Sequence, residues 1–395
     1  MKSLSVVIPT RNRPYFLRDA LQSLVNQTVG DFDVVVSDNS NNALSQEVCA
    51  EFEDQIDIRY SQTPRSLSMV ENWNSALSQA RGRFVAVMID KTAWSRIAVE
   101  AILRISQRFP SADVISWGHD YLIPADDTER VGYVLPYRLP RTAPHLVSLL
   151  DALIERREFR IPRSLQDGYM YALGKVCFGA FRSDLVSRIR EAHGTVFHPI
   201  SPDYTSMTLA SFQSRCAVQV GAPLQISRVS SESNGTKSAA FPSHAFGYLK
   251  SVDPSLTTLS KLPIPGLYQS VENTVAFDLS QFDCSYSLPV FNAKKLRERV
   301  ITEIRASAQN LHLEFVPNQL IDGLNRDFTR RRLDYQLLQQ KFVRLRRELF
   351  ALHILRRAVG IYPKLRVSEC QSIYEALECQ DVANRDWYRQ FRNVD

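Results

Sequence analysis

Leu4 to Asn41, LSVVIPTRNRPYFLRDALQSLVNQTVGDFDVVVSDNSN, reads as strand, helix, strand, with a polar cluster at the carboxyl end of each strand. Ser5 to Pro9 is a short, mainly β-branched run that stops at the proline. Thr10-Arg11-Asn12-Arg13-Pro14 then opens a helix in which Phe16, Leu17, Leu21, Leu24 and Val25 recur at helical spacing. Phe32 to Val36 is a second buried-type strand and ends in Ser37-Asp38-Asn39-Ser40. Open α/β sheets bind ligands where their strands end, so this unit delivers a TRN loop and an Asp38 loop to one edge. A nucleotide fits there.

The alternation continues along the chain. Ile56 to Tyr60 predicts a third strand, Met69 to Ala80 an amphipathic helix closed by Gly82, and Phe84 to Ile89 a strongly apolar fourth strand followed by Asp90-Lys91-Thr92. Val114 to Trp117 and Tyr121 to Tyr137 predict strands with loops. Pro144 to Arg157 and Ser183 to Glu191 predict helices, the former with proline in its first turn. Gly174 to Phe181 is small and apolar, as for a strand under a ligand, and a helix over Thr205 to Phe212 follows His198-Pro199-Ile200-Ser201-Pro202-Asp203-Tyr204. Between 222 and 267 the composition turns toward Ser, Pro and Gly and periodicity lapses, which predicts a flexible loop and linker. The expected division is therefore a catalytic domain over 1–221, a linker over 222–267 and a mainly helical region over 268–395.

The length, 395 residues, suits one catalytic domain plus an appendage. No apolar run approaches the roughly 20 residues of a membrane-spanning helix. MKSLSVVIPT carries one lysine and then enters a strand, which predicts no cleavable signal peptide. Cys49, Cys177, Cys216, Cys284, Cys370 and Cys379 form no CxxC or Cys/His pattern, which points to reduced thiols and a cytoplasmic location. Thr329 to Val359 carries nine Lys or Arg against Asp334 and Glu348, a net +7 in a chain of net +6. Its apolar positions alternate three and four apart. Three roles are open to it: packing on its own domain, peripheral contact with the inner face of an anionic membrane, or a short homodimer seam. No nucleic-acid motif accompanies the charge.

Pro9, Thr10, Asn12, Gln27-Thr28 and Asp38 are similar in order and spacing to the opening of the inverting family two glycosyltransferases, with Arg11 at that family's usual aromatic position. The resemblance implies a GT-A fold, a Rossmann-like mixed α/β sheet flanked by helices around one nucleotide-diphosphate-sugar site. It implies that Pro9, Thr10, Arg11 and Asn12 line the nucleotide pocket and that Asp38 contacts uracil or ribose. Ser68 is implied as a further donor contact, while Trp73 on the next helix reads as packing. Asp38-Asn39-Ser40 also suits a simple loop and cap cluster.

Asp90 stands where the family carries its Asp-x-Asp signature, whose carboxylates hold Mn²⁺ or Mg²⁺ against the donor's phosphates. Here the third position is Thr92 and the middle one is Lys91, so weaker metal binding is expected, and two readings are open: Lys91 meets a phosphate directly as a point charge, or the site binds metal through Asp90, the phosphates and water. The family's general base opens a helix about a hundred residues later, and Asp203 follows Asp90 by 113 positions. A base is needed because the acceptor hydroxyl must lose its proton as it attacks the anomeric carbon; the same residue would also make a good helix cap. The expected reaction is transfer from a UDP-linked sugar to a hydroxyl of a glycan or lipid-linked acceptor in cell-surface polysaccharide synthesis. The rival is a protein that holds a nucleotide sugar without turnover, suggested by the missing second acid.

Overall fold

The structure is a computed structural model that describes residues 2–125, 132–136, 141–160, 172–230, 233–282, 291–310, 319, 321–322, 324 and 369–392. β1 (Leu4–Thr10) leads through α1 (Pro14–Val25) to β2 (Phe32–Asp38), α2 (Leu44–Ala50) to β3 (Ile58–Gln62), and α3 (Met69–Ser78) to β4 (Phe84–Val87). β1, β2 and β4 are buried along their whole length, as parallel strands covered on both faces must be. Val6, Ile8, Val34 and Val36 enter one core layer with Leu17, Leu21 and Leu24 of α1, while Val7 and Val35 enter the other with Val70, Trp73 and Leu77 of α3. The period of two along each strand separates these layers.

β5 (Thr92–Trp94), α4 (Ala98–Arg108), β6 (Val114–Pro124), β7 (Gly132–Leu135), β8 (Thr142–Val147), α5 (Leu149–Arg157), β9 (Gly179–Arg182), α6 (Ser183–His193), α7 (Pro202–Gln213) and β10 (Ala217–Arg228) follow. The sheet runs β3-β2-β1-β4-β9-β6-β7-β11, where β11 is Glu369–Cys370, and β10 lies on β6 and carries β5 and β8. β1 is parallel to β2, with Thr10 opposite Asp38, and parallel to β4, with Val7 opposite Val87. The Thr10, Asp38 and Asp90 loops therefore leave the sheet at one edge. β9 is antiparallel to both β4 and β6, so its first residue points toward that same edge. This mixed sheet flanked by helices is the architecture that the sequence predicts.

The predicted helix over Pro144 to Arg157 is half strand. Pro144 lies in β8, which takes an edge position on β10 where a missing N–H is tolerated, and the helix starts only after Ser148, whose side chain accepts from Asp151 N. Gly174 to Phe181 is not one strand but a turn of 3₁₀ helix, Val176–Phe178, leading into β9. The segment 222–267, expected as loop and linker, contains the second half of β10 and then α8 (Asn234–Ala240), α9 (Pro242–Val252) and α10 (Thr257–Lys261). Short helices of this length show little periodicity in sequence.

Beyond them lie α11 (Val271–Ser280), α12 (Ala293–Asn310), α13 (Ile373–Ala383) and α14 (Arg385–Arg392). The last two return to the sheet. Ile373, Ala376 and Leu377 pack on Ala93, Leu122 and Ile226, Gln380 donates to Asp120 Oδ2 at 2.9 Å, and Trp387 Nε1 donates to the Thr142 carbonyl at 2.8 Å. The basic segment Thr329 to Val359 lies outside the described residues. Among the described residues no helix is long and apolar enough to cross a membrane.

Candidate active site

The loops after β1, β2 and β4 are bonded into one unit. Asn12 N donates to Ser40 Oγ at 2.7 Å and Asn39 N donates to the Thr10 carbonyl at 2.9 Å. Asn12 has φ 56°, a left-handed conformation that asparagine tolerates better than most residues. Buried Asn72 of α3 accepts from Ser37 Oγ at 2.8 Å and donates to the Ser37 carbonyl at 3.3 Å. Pro9 and Thr10 are buried at the end of β1, while Arg11 and Asn12 are exposed at the rim.

Asp38 is fully buried and accepts from Ser40 N at 2.9 Å, Ser40 Oγ at 2.5 Å and Tyr60 Oη at 3.0 Å. Burial and that hydrogen bond push the Tyr60 phenol upward, which keeps it a neutral donor. Asp38 thus organises the floor of the loop. Ser68 is the N-cap of α3 in a reciprocal capping box with Glu71. Trp73 packs edge-on against Phe197 with ring centroids 5.2 Å apart, as a core residue does.

Asp90 lies just beyond β4, level with Thr10, 3 % exposed. Its Oδ2 accepts from Thr10 Oγ1 at 3.0 Å, and its Oδ1 faces Arg13 Nη1 at 3.5 Å. The backbone of Lys91 accepts from Arg228 N at 3.2 Å, and Thr92 caps its own turn by donating to the Ile89 carbonyl at 2.7 Å. Thr92 is thereby occupied locally. Among the described residues no group of three or more His, Cys, Asp or Glu side chains converges on a point. Asp90 is the one carboxylate of this loop that fits a divalent ion, and with Arg13 as its neighbour it fits only when the donor's phosphates supply the remaining oxygens.

The second cluster comes from α7 and the loop before the 3₁₀ turn. Asp203 is the second residue of α7, after Pro202 at its first position, and Ser201 takes the cap position, so Asp203 does not cap the helix. Its Oδ2 accepts from Lys175 Nζ at 2.8 Å; the lysine side chain is 4 % exposed and the aspartate side chain 27 %. Lys175 Nζ also lies 3.4 Å from the centroid of the Tyr204 ring. His198 is held by Thr195 and Phe282 as a structural residue.

Sequence reasoning did not single out Lys175, His119, Asp278 or Arg13. His119 of β6 is buried, stacked on Phe178 at 4.2 Å, and neither ring nitrogen has a hydrogen-bond partner among the described residues. Burial, with the charge of Lys175, pushes it down to about 3, so it is neutral. Asp278 of α11 is fully buried and accepts from Ser201 N at 2.5 Å. Burial pushes its carboxyl up to about 8. A lone lysine in an apolar stretch and an aspartate within a helix carry no motif; only Arg13, inside TRNRP, had a signal to find.

The two clusters share an edge because of the ladders. Thr92 pairs with Ser227, Ser227 with Tyr121 and Gln225 with His119. His119 stacks on Phe178, which lies three residues beyond Lys175.

Residues 5–129 match the family model described as glycosyl transferase family 2. Over 89 residues the chain is 35 % identical to an uncharacterized glycosyltransferase of Methanocaldococcus jannaschii, covering 22 % of this chain and 30 % of that protein. Over 97 residues it is 32 % identical to the GalNAc(5)-diNAcBac-PP-undecaprenol beta-1,3-glucosyltransferase of Campylobacter jejuni, covering 23 % and 30 %. The chain thus spans under a third of the length of these curated relatives. Among solved structures it is similar to S. aureus TarS 1–349 in complex with UDP-GlcNAc, at 14 % identity and TM-score 0.46, covering 78 % of this chain and 82 % of that one.

Proposed function

We propose, from the match of residues 5–129 to the glycosyl transferase family 2 model, that the whole chain is an inverting glycosyltransferase that moves a sugar from a UDP-linked donor to a hydroxyl of a glycan or lipid-linked acceptor. The observation that carries the reading is the placement of Asp90 and Lys91 beyond β4, with Arg13 from the loop after β1, on the same edge as the partly exposed Asp203 carboxylate. One cluster has cations for a leaving diphosphate, and the other has a base for an incoming hydroxyl.

In this reading the nucleotide lies along Pro9 to Asn12 and the Asp38 to Ser40 loop. As the acceptor oxygen bonds to the anomeric carbon, its proton passes to Asp203 and the bond to the diphosphate breaks on the opposite face. Arg13 and Lys91 offset the charge on the departing phosphates. A divalent ion held by Asp90 and the phosphates would add further charge stabilisation there. The relative that bears a glucosyltransferase name with a polyprenyl-linked sugar supports a lipid-linked acceptor.

A thermal-shift panel of nucleotide sugars, followed by donor hydrolysis with and without Mn²⁺, tests the proposal. UDP-sugars should stabilise the chain, by about 2.7 kcal/mol at a hundred times Kd, and should be turned over. Stabilisation without turnover in either condition would leave a nucleotide-sugar binding protein.

A further inference from the structure

We propose that Lys175 is the positioning residue of Asp203: its buried ammonium holds Oδ2 of the carboxylate and turns Oδ1 toward the acceptor. This inference rests on the reading of Asp203 as the base.

The geometry is that of a fixed cation beside a half-open anion. Lys175 Nζ is 2.8 Å from Asp203 Oδ2, and its side chain is 4 % exposed against 27 % for the aspartate. The backbone that carries the lysine is fixed on both sides. Lys175 N donates to the Ala172 carbonyl at 3.0 Å, and Phe178 N donates to the Lys175 carbonyl at 3.1 Å. Gly174 before it has φ +82°, which favours glycine. Gly179 after the turn lets the chain close on β6 and on this loop, since a Cβ there would meet the Ile115 carbonyl oxygen at 2.8 Å and the Lys175 carbonyl oxygen at 3.2 Å. A lysine held this way cannot follow a wandering carboxylate, so the carboxylate is held by the lysine. Tyr204, next to the base on α7, supports the ammonium with its ring face at 3.4 Å.

The charged and titratable groups around Lys175 come from five elements. They are Asp203 on α7, Arg156 on α5, Cys177 on the 3₁₀ turn, neutral His119 on β6, and Asp278 on α11 behind Ser201. Burial is the largest influence on Lys175 and lowers it from the ordinary lysine value of 10.5; Asp203 and Cys177 oppose this, and Arg156 adds to it. A lysine with a lowered value is charged below that value and loses its charge as pH rises through it. The bond to Asp203 then weakens at alkaline pH, before a surface lysine would titrate.

The test is the pH dependence of kcat for hydrolysis of UDP-glucose, or of whichever UDP-sugar gives the largest thermal shift, in the wild-type chain and in Lys175→Arg, Lys175→Met and Asp203→Asn. Wild type should lose activity along a basic limb below pH 10.5. Lys175→Arg, whose guanidinium does not titrate in this range, should retain activity and move that limb upward. Lys175→Met should lower kcat about tenfold or more with the donor KM unchanged. A wild-type profile flat to the ordinary lysine range, or a basic limb at the same pH in Lys175→Arg, overturns the inference; both remain measurable if Lys175→Met fails to fold. Asp203→Asn separates the two readings. Normal turnover in that variant removes the base itself, whereas its inactivity together with an unmoved limb in Lys175→Arg removes only the role of Lys175.

Discussion

On the proposed donor side, Thr10, Asp38 and Asp90 leave neighbouring parallel strands whose registers put them level with one another, and they are tied by hydrogen bonds from Thr10, Ser40 and Tyr60. On the proposed acceptor side, Lys175, Asp203 and Ser201–Asp278 come from a loop and two helices, joined across 28 and 77 residues by contacts that no register dictates. The first cluster inherits its geometry from the sheet. The second has to be assembled around the buried Lys175 ammonium, whose lost hydration the Asp203 carboxylate offsets. The first cluster is accordingly held by hydroxyl and backbone donors around two buried carboxylates, Asp38 and Asp90, and the second by the Lys175–Asp203 ion pair and the Ser201–Asp278 bond.

The sharpest way to break this comparison is Asp203→Asn. If the acceptor half performs the proton transfer, sugar transfer should fall by roughly two to four orders of magnitude. The donor's thermal shift should be retained, because the nucleotide loops are untouched. Normal transfer would move the chemistry away from α7.

A smaller effect is expected from Asp90→Asn on the other half. It removes the negative charge that orients Arg13 and that would hold a divalent ion, so kcat should drop by about two orders of magnitude. The melting temperature should move little, since Thr10 can donate to an amide oxygen as well. Equal activity would mean that leaving-group stabilisation lies in Arg13 and Lys91 without the acid.

The smallest effect sharpens the contrast in pH response. Asp278 ionises near 8 in the folded chain, against an ordinary 3.8. Between those values the folded state keeps a proton that the unfolded state has released, so stability falls as pH rises through this window. Asp278→Asn mimics the protonated form and should flatten that part of the decline in melting temperature between about pH 5 and 8, by a few degrees for each kcal/mol or so. An identical slope in both proteins would assign the decline elsewhere.

Much of the proposed donor half is legible in the sequence. Apolar runs that end in polar residues, separated by a helix of regular period, imply strands covered on both faces and loops gathered at one edge, and the match over residues 5–129 lies in that part of the chain. Local chemistry misled where tertiary context decided. Pro144 suits a helix start, but a place at the edge of β10 made it part of a strand. The polar stretch after 228 hides three short helices, and the return of residues 369–392 to the sheet through Gln380 and Trp387 has no local sign.

The sequence by itself determined the α/β order and the gathering of polar loops at one sheet edge, because strand period and helix period are local properties, and the resemblance to the family two glycosyltransferases made Asp90 and Asp203 candidates. The tertiary structure alone decided that Asp38 is enclosed by Ser40 and Tyr60, that Asp90 faces Arg13, and that Lys175 is buried against Asp203. Those facts depend on which side chains lose water together when the chain closes, and that is a property of packing between distant segments.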